Sequence, residues 1–335
     1  MKIAVLGAGA IGGLLATRLA HAGNAVTVID RGAHLQAIRS NGISIIQPDG
    51  QLLVARPEKV VESCELAGPH DLIFLALKAN LLEDLADEVK ALLHPLSTVV
   101  TLQNGLPWWY FNKLEGVHES YQFQTLDTSR RLSKAIHVDR IIGSVAFPSA
   151  EIVFPGVIRH IEGERFPLGE LDGVCTPRVQ IISALLENAG FKAPVLSDIR
   201  SHIWLKLLGN VSFNPISALT HATLEELCTE PNSRALTAAM MSEAKSIGES
   251  LGVRFRVSIP QRIQGGERTG NHKTSTLQDV ESGRRLELAA LMGSVVELAD
   301  LVNLAVPTLR MALSLMTLLD KTLQKHGAKL TLQPV

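Results

Sequence analysis

Short apolar runs alternate with helical patterns along the N-terminal part of the chain. Residues 3–6, 25–29, 72–77 and 98–102 are almost wholly apolar, and residues 11–22 have helical periodicity. Strands with one face in water alternate apolar and polar positions, whereas strands of a parallel sheet covered on both faces form continuous apolar runs. The order of strands and helices therefore predicts βαβ units around a parallel sheet.

The pattern changes between residues 140 and 170, where prolines and glycines interrupt runs of Val, Ile and Phe. This composition predicts short antiparallel strands, joined by turns, at the edge of the first domain. Residues 179–188 then predict a helix that ends at Gly190, because glycine readily adopts the left-handed conformation that commonly closes a helix.

Beyond Ser197 the periodicity is almost entirely helical. The clearest helices are predicted over residues 235–251, 284–303 and 308–326. Pro307 would separate the last two, since proline cannot continue a helix. The pattern thus predicts an α/β domain over residues 1–196 and an all-α domain over residues 197–330. The tail, residues 331–335, is expected to be loose.

Composition supports two packed cores and narrows the class of partner. Hydrophobic side chains make up 46% of the 335 residues and charged ones 19%, which excludes global disorder. With 32 basic and 33 acidic residues the net charge is -1, so no basic face is implied. We therefore expect neither a nucleic-acid nor an anionic-membrane partner. The apolar C-terminal runs carry acidic residues and predict buried helices rather than membrane spans: Glu287, Glu297, Asp300 and Asp320.

The cysteines and histidines point to neither a disulfide frame nor a metal centre. Cys64, Cys175 and Cys228 are odd in number and far apart, and the eleven histidines have no metal-ligand spacing. We interpret the cysteines as reduced thiols in a cytoplasmic protein and expect no bound metal.

A glycine-rich turn follows the first predicted strand and opens the first predicted helix. In such a turn Gly7 permits the tight bend, Gly9 lets a pyrophosphate approach the backbone, and Gly12 lets the helix pack against the strand. The helix N-terminus supplies free N–H groups and a positive dipole. The candidate phosphate site is therefore the backbone of Gly7, Ala8, Gly9, Ala10, Ile11 and Gly12. The alternative is a purely structural glycine turn.

Two residues at the end of the second predicted strand give opposite indications about the dinucleotide. Asp30 could bond the ribose 2′-hydroxyl of NAD. The guanidinium of Arg31 could instead pair with the 2′-phosphate of NADP. The residues by themselves leave this choice open.

A second group of polar residues opens the helical region. Lys206, Asn210 and Asn214 are spaced by four and would share one helix face. A lysine could protonate a carbonyl oxygen while two amides orient the carbonyl compound. Taken alone, the same spacing fits a solvated helix face better.

Four sequence motifs resemble those of the ketopantoate reductase family. The segment WLKLLGNVSFNPISAL, which begins at Trp204, resembles the family pattern WxKxxxNxxxNPxxAL. The segment HKTSTLQD from His272, followed by GRRLE from Gly283, is similar to SMxQDxxxGRxxEID. LQNG from Leu102 resembles the xxQNG motif, and LKA from Leu77 resembles xKA. The motifs occur in the family's order, after the glycine turn.

The resemblance implies a fold and a reaction. It implies an NADP-binding Rossmann domain, a helical domain like the C-terminal domain of 6-phosphogluconate dehydrogenase, and an active site in the cleft between them. It further implies the NADPH-dependent reduction of 2-ketopantoate to pantoate, a step of pantothenate and coenzyme A biosynthesis. The partner would then be a small 2-ketoacid; a homodimer stays open, since the sequence does not define the oligomeric state.

The resemblance also implies roles for individual residues. Lys206 would be the general acid, and Glu287 would hold the polar end of the substrate and orient Lys206. The remaining positions are assigned to binding: Asn210, Asn214 and Ser275 to substrate, Asn104 to substrate and nicotinamide ribose, Lys78 to the nicotinamide ribose, and Arg31 to the 2′-phosphate.

The chain departs from the family pattern at three positions. Thr276 replaces a methionine, which we expect to affect packing only. Ala289 replaces an aspartate and bears on the identity of the substrate. Asp30 precedes Arg31 where the family usually has no acid, which bears on the preference for NADP. Two alternatives therefore stand beside ketopantoate reduction: a reductase of the same family that acts on another 2-ketoacid, and a non-catalytic NADPH-binding sensor.

Overall fold

The computed structural model of the chain describes residues 1–116, 118–119 and 121–332. Residues 333–335, which form most of the tail expected to be loose, lie outside the described residues. The chain divides into two compact units. The N-terminal unit comprises Met1–Gln103, Trp108–Gln122 and Ser129–Ile199, and the C-terminal unit comprises Asn104–Pro107, Phe123–Thr128 and Arg200–Val335.

The N-terminal unit is built on two sheets. Its strands are β1 Ile3–Leu6, β2 Val26–Ile29, β3 Ile43–Ile46, β4 Leu52–Ala55, β5 Lys59–Val61, β6 Leu72–Leu75, β7 Thr98–Thr101, β8 Ile141–Ser144, β9 Ser149–Phe154, β10 Val157–Glu162 and β11 Leu168–Glu170. The larger sheet has the order β11-β8-β7-β6-β1-β2-β5 and is parallel except for β11, and the smaller has the order β4-β3-β10-β9. Strands β1, β2, β6 and β7 are fully buried, as their continuous apolar sequences predict.

The helices of this unit cover the sheets. They are α1 Ala10–His21, α2 Gly32–Asn41, α3 Cys64–Ala67, α4 Ala79–Leu82, α5 Ala86–Val89, α6 Arg131–Ala135 and α7 Pro177–Asn188, with 3₁₀ turns at Lys90–Leu92 and Val138–Arg140. Helix α1 packs against strands of both sheets. A Cβ at Gly13 would lie 2.2 Å from the Cδ1 of Ile158 in β10, so this glycine permits the close approach. Helix α7 closes with Gly190 at φ +83°, and its predicted end is confirmed.

The prediction for residues 140–170 was only partly correct. Strand β11 is antiparallel at the edge of the larger sheet, but β8 pairs in parallel with β7. Strands β9 and β10 form an antiparallel hairpin that belongs to the smaller sheet, where β10 pairs in parallel with β3. Local turn signals identified the strands but could not identify their distant partners.

The C-terminal unit is helical. Its helices are α8 Ile199–Thr220, whose first residue belongs to the N-terminal unit, α9 Leu224–Thr229, α10 Pro231–Ser250, α11 Ile259–Arg268, α12 Ser275–Ser282, α13 Ser294–Leu301 and α14 Pro307–His326. Helix α8 packs through Trp204, Leu207, Leu208 and Val211, which are all buried. The predicted fold class, an α/β domain followed by an all-α domain, is confirmed.

The continuous helix predicted over residues 284–303 was wrong at its start. Gly283 ends α12 in the left-handed conformation at φ +66°, and residues 284–287 have no regular secondary structure. The backbone N–H of Leu286 donates to the Asp320 carboxylate at 3.0 Å instead of to a helical carbonyl. A π-helical turn, Ala289–Gly293, then leads into α13. Tertiary hydrogen bonds override the helical periodicity here.

Candidate active site

The glycine turn follows β1, and two of its glycines are required by the fold. Gly7 lies at φ +93° and donates its N–H to the Ile29 carbonyl at 2.9 Å. A Cβ at Gly12 would lie 1.9 Å from the Gly7 carbonyl oxygen. Gly9 differs, because its φ is -55° and no atom lies within 4 Å of an added Cβ. Gly9 therefore faces open space, as a turn that admits a pyrophosphate must.

A carboxylate and an imidazole hold the turn at Ala8. The Ala8 N–H donates to Asp30 Oδ2 at 2.7 Å, and the Ala8 carbonyl lies 2.8 Å from His34 Nε2. Because His34 Nδ1 accepts from the Gly156 N–H at 3.0 Å, Nε2 carries the proton and donates to Ala8. We call Asp30 and His34 the Ala8 clamp. The sequence indicated Asp30 as a ribose ligand and gave no signal for His34.

The first turn of α1 fits the phosphates of a dinucleotide. Its N-cap is Gly9, no side chain caps the helix, and Gly9, Ala10 and Ile11 are half-buried rather than covered. Uncapped N–H groups and the helix dipole favour an anion at this position.

Arg31 is available at the end of β2. Its guanidinium is 65% exposed and lies 3.3 Å from Glu88 Oε2, itself 40% exposed. An exposed ion pair of this kind contributes little to stability, on the order of 0–1 kcal/mol. A phosphate dianion could therefore replace Glu88 as the partner of Arg31.

Lys78 and Gln103 follow the carboxyl ends of β6 and β7. Gln103 Nε2 donates to the carbonyls of Leu75 at 2.7 Å and Leu77 at 3.0 Å, which fixes the backbone just before Lys78. Lys78 is half-buried and precedes α4. Within the described residues, the buried Oε1 of Gln103 has no hydrogen-bond partner. Ligands of doubly wound sheets bind beyond the carboxyl ends of the strands, where these side chains lie.

In the C-terminal unit, the segment after Asn104 is tied to the π-helical turn. The Leu106 N–H donates to the Ala290 carbonyl at 3.0 Å. Gly105 lies at φ +87°, and a Cβ there would be 2.2 Å from the same oxygen, so no other residue fits. Asn104, half-buried, is thereby held next to a fixed backbone. Single π-turns often occur at functional sites.

The polar face of α8 is not a solvated surface. Lys206 and Asn210 are half-buried and Asn214 is only 6% exposed. Burial lowers the pKa of Lys206 to about 8, Glu287 opposes that shift, and Arg262 adds to it. The buried Nδ2 of Asn214 has no hydrogen-bond partner among the residues described. Lys206 is therefore within electrostatic reach of both Glu287 and Arg262, and α8 carries an unsatisfied amide donor two turns further on.

The remaining sequence-predicted positions also belong to the C-terminal unit. Glu287 is half-buried and follows Leu286, whose backbone is fixed by Asp320. Ser275 is exposed at the first position of α12, which is capped by Thr274. Thr276 is 5% exposed, consistent with a packing role. Ala289 is exposed at the start of the π-turn.

Arg262 is the charged residue near Lys206 that the motif comparison did not identify. It lies on the largely polar helix α11, where one arginine among several carries no distinguishing pattern. Only the packing of α11 against α8 brings it to Lys206.

The described part of the chain has neither a metal-binding cluster nor a membrane-spanning helix. Among those residues, no group of three or more His, Cys, Asp or Glu side chains is placed to hold a metal ion. None of the helices within the same residues has the length and apolar character needed to span a membrane.

Comparisons with known proteins agree over most of the chain. Residues 3–173 match the family model described as ketopantoate reductase PanE/ApbA, and residues 198–320 match its C-terminal model. The chain is 46% identical to 2-dehydropantoate 2-reductase of Mesorhizobium japonicum, over 94% of this chain and 96% of the relative.

Solved structures give the same result. A crystal structure from Ralstonia solanacearum has a TM-score of 0.90 at 36% identity and covers 96% of this chain and 98% of its own. The structure of 2-dehydropantoate 2-reductase from Geobacter metallireducens has a TM-score of 0.82 at 25% identity, with 98% and 100% covered.

Proposed function

The chain belongs to the ketopantoate reductase family, and from that premise we propose that it catalyses the NADPH-dependent reduction of 2-ketopantoate to pantoate. The observation that carries the proposal is the half-buried Lys206, coupled to Glu287 and with a pKa lowered to about 8. An ammonium with that pKa can give up a proton near neutral pH, which an ordinary solvated lysine does poorly.

The residues of the C-terminal unit would manage the substrate and its proton. Bound NADPH supplies the hydride. Lys206 donates a proton from Nζ to the carbonyl oxygen as negative charge develops there, a contribution typically worth ~10²–10⁴ in rate. Glu287 keeps the ammonium protonated and accepts a hydrogen bond from the substrate's hydroxyl.

Amide and hydroxyl groups would orient the substrate. The unsatisfied Nδ2 of Asn214 is a ready donor, and Asn210 lies one helical turn before it. Ser275 and Asn104 supply further polar contacts to the substrate. Fixed donors of this kind raise the rate by holding the carbonyl in position before reaction.

The cofactor is proposed to be NADPH rather than NADH. Both carboxylate oxygens of Asp30 accept backbone N–H groups, from Ala8 at 2.7 Å and Arg31 at 2.6 Å, so they are engaged within the turn. Arg31 is exposed and weakly paired. The backbone of the glycine turn would bind the pyrophosphate, Arg31 the 2′-phosphate, and Lys78 and Asn104 the nicotinamide ribose.

A panel of 2-ketoacids tests the function. The purified protein is assayed for NADPH oxidation with ketopantoate, pyruvate, 2-ketoisovalerate and phenylglyoxylate, with Lys206→Ala as the inactive control. We expect the highest kcat/KM with ketopantoate. A higher value with another ketoacid would identify a reductase of different specificity, and no turnover with any of them would favour a sensor.

Two further properties belong to the proposal. We place the protein in the cytoplasm, where its three unpaired cysteines, two of them buried, stay reduced.

We also propose a homodimer formed through α14. Met311, Leu315 and Leu318 share one face of that helix and are 67%, 49% and 65% exposed. A contiguous apolar stripe of this kind commonly marks an interface.

A further inference from the structure

Arg262 occupies a defined position over helix α8. A Cβ at Gly209 would lie 2.2 Å from Nη2 of Arg262, so the guanidinium fills the space that the glycine leaves. The guanidinium carbon lies 5.4 Å from the centre of the Phe213 ring, in a cation–π contact. One turn further along α11, a Cβ at Gly266 would lie 2.7 Å from Phe213. The two helices interlock, and that packing holds Arg262 on the side of α8 that carries Lys206.

This guanidinium lacks a counter-charge. Among the described residues, no hydrogen bond or ion pair satisfies its side chain, and burial lowers its pKa. The nearby Cys228 cannot compensate, because burial raises the pKa of that thiol to about 11 and it stays neutral. Arg262 is half-buried. Leaving a partly desolvated cation unpaired is costly, so an anion is expected to complete the site.

The Glu287 carboxylate raises the pKa of Lys206. Arg262, as a second cation that repels the ammonium, lowers the same pKa. The group around Lys206 therefore contains more positive than negative charge before substrate binds. A 2-ketoacid carries its carboxylate on the carbon next to the carbonyl, so one molecule can present its carbonyl oxygen to Lys206 and its carboxylate to a neighbouring cation.

We propose that Arg262 binds the carboxylate of the 2-ketoacid, by two hydrogen bonds from its planar guanidinium, over Gly209 of α8. The forked donors of arginine match the two oxygens of a carboxylate. Arg262 thus selects ketoacids over uncharged carbonyl compounds of the same shape. This inference rests on the proposed function and adds the residue that makes the protein specific for substrates that carry a carboxylate.

The test compares an acid with an uncharged analogue. Arg262→Met is assayed with ketopantoate and with ketopantoyl lactone, which retains the keto group but has no free carboxylate. We expect kcat/KM for ketopantoate to fall about 10- to 100-fold, the usual effect of losing hydrogen bonds to a charged group. The value for the lactone should change less than about threefold, since it lacks the group that Arg262 binds. An analogue that is not turned over is measured as a competitive inhibitor.

Two variants separate binding from folding. Gly209→Ala keeps the arginine but displaces its guanidinium, and alanine suits a helix interior, so the acid-specific loss should appear without loss of thermal stability. Arg268→Met removes an exposed arginine of the same helix and should leave both substrates unaffected.

The possible outcomes distinguish the role proposed for Arg262 from the proposed function. Equal losses for acid and lactone, or a greater loss of NADPH affinity, would overturn the role of Arg262 and leave the proposed function intact. If the parent prefers another 2-ketoacid, the same comparison is made with that acid and its methyl ester. A parent that reduces no 2-ketoacid would overturn both.

Discussion

Lys206 has a pKa that responds to its two charged neighbours in opposite directions. Glu287 raises that pKa and Arg262 lowers it, while burial is the largest cause of the net shift to about 8. A general acid is most effective when its pKa lies near the working pH, because the protonated form is abundant and still gives up its proton readily. In the proposed reaction, the charges around Lys206 therefore tune its acidity in addition to their proposed roles in binding substrate.

The pH profile of ketoacid reduction should report this residue. Lys206 must be protonated to act as an acid, so kcat/KM is expected to fall above about pH 8. In Glu287→Gln the group that raises the pKa is gone, and the fall should begin at lower pH. In Lys206→Ala, kcat should fall ~10²- to 10⁴-fold, and the affinity for NADPH should be retained. A pH profile that is unchanged in Glu287→Gln would show that Glu287 does not influence the pKa of Lys206. Lys273→Ala, which removes a lysine from an exposed ion pair, serves as the control.

Arg31 should determine the choice between NADPH and NADH. Arg31→Ala removes the proposed partner of the 2′-phosphate, and we expect NADPH affinity to fall roughly 10- to 100-fold, as for other charge-assisted hydrogen bonds. NADH, which has no such phosphate, should bind almost unchanged. Fluorescence titration of both cofactors measures this, with Arg39→Ala on α2 as the matched variant. Equal affinities in the parent would contradict the assignment.

Whether a residue of the candidate site can be predicted from the sequence depends on how local its determinants are. Lys206 and the asparagines of α8 could be predicted because they lie at helical spacing within a motif. The position of Asp30 after β2 indicated a possible ribose ligand and left the choice with Arg31 open; the contact of its carboxylate with the Ala8 N–H has no sequence signal. Arg262 could not be predicted, since its proximity to Lys206 arises from the packing of two helices distant in sequence.

At the scale of elements, the turn between β1 and α1 combines two kinds of glycine. Gly7 and Gly12 are required for the chain to fold, whereas Gly9 leaves room for a ligand. The Ala8 clamp then fixes the turn from α2 and from the end of β2. Binding and folding can therefore be separated by substitution within one short segment.

Gly9→Val and Gly12→Ala should have different effects. The Cβ of a valine at position 9 has no atom of the fold within 4 Å, and the side chain fills the space above the turn, so we expect stability to be retained and NADPH binding to be lost. A Cβ at Gly12 overlaps the Gly7 carbonyl and should destabilise the protein by at least about 1–3 kcal/mol. Thermal unfolding with and without NADPH distinguishes them: at 100 times its dissociation constant, NADPH stabilises the parent by about 2.7 kcal/mol. Stabilisation of Gly9→Val by NADPH would contradict a pyrophosphate site here.

Helices and strands could be predicted from the sequence where the interactions that determine them are local. Buried parallel strands were recognised from their own composition, and α14 from its periodicity and Pro307. The non-helical segment before the π-turn was missed because it is held by a hydrogen bond from Leu286 to Asp320, far along the chain. The strands of the smaller sheet were likewise recognised one by one, but not their pairing.

At the scale of the whole molecule, charge does little to keep copies of the chain apart. The formal net charge is -1, so long-range repulsion between molecules is weak. Because this repulsion is weak, an exposed apolar surface can determine whether two copies of the chain associate. Helix α14 buries Leu309, Met316 and Leu323 and exposes Met311, Leu315 and Leu318 on another face.

The homodimer proposed through α14 should therefore depend on its exposed apolar face. Met311→Glu combined with Leu318→Glu places like charges on that face in both copies, and the expected result is a shift from the mass of two chains to that of one by light scattering. Because both side chains are largely exposed in the single chain, its folding should be unaffected. Gln324→Glu, an exposed change on the same helix outside the stripe, should leave the dimer intact. A parent of single-chain mass at micromolar concentration would remove the dimer from the proposal, and an unchanged mass in the double variant would move the interface elsewhere.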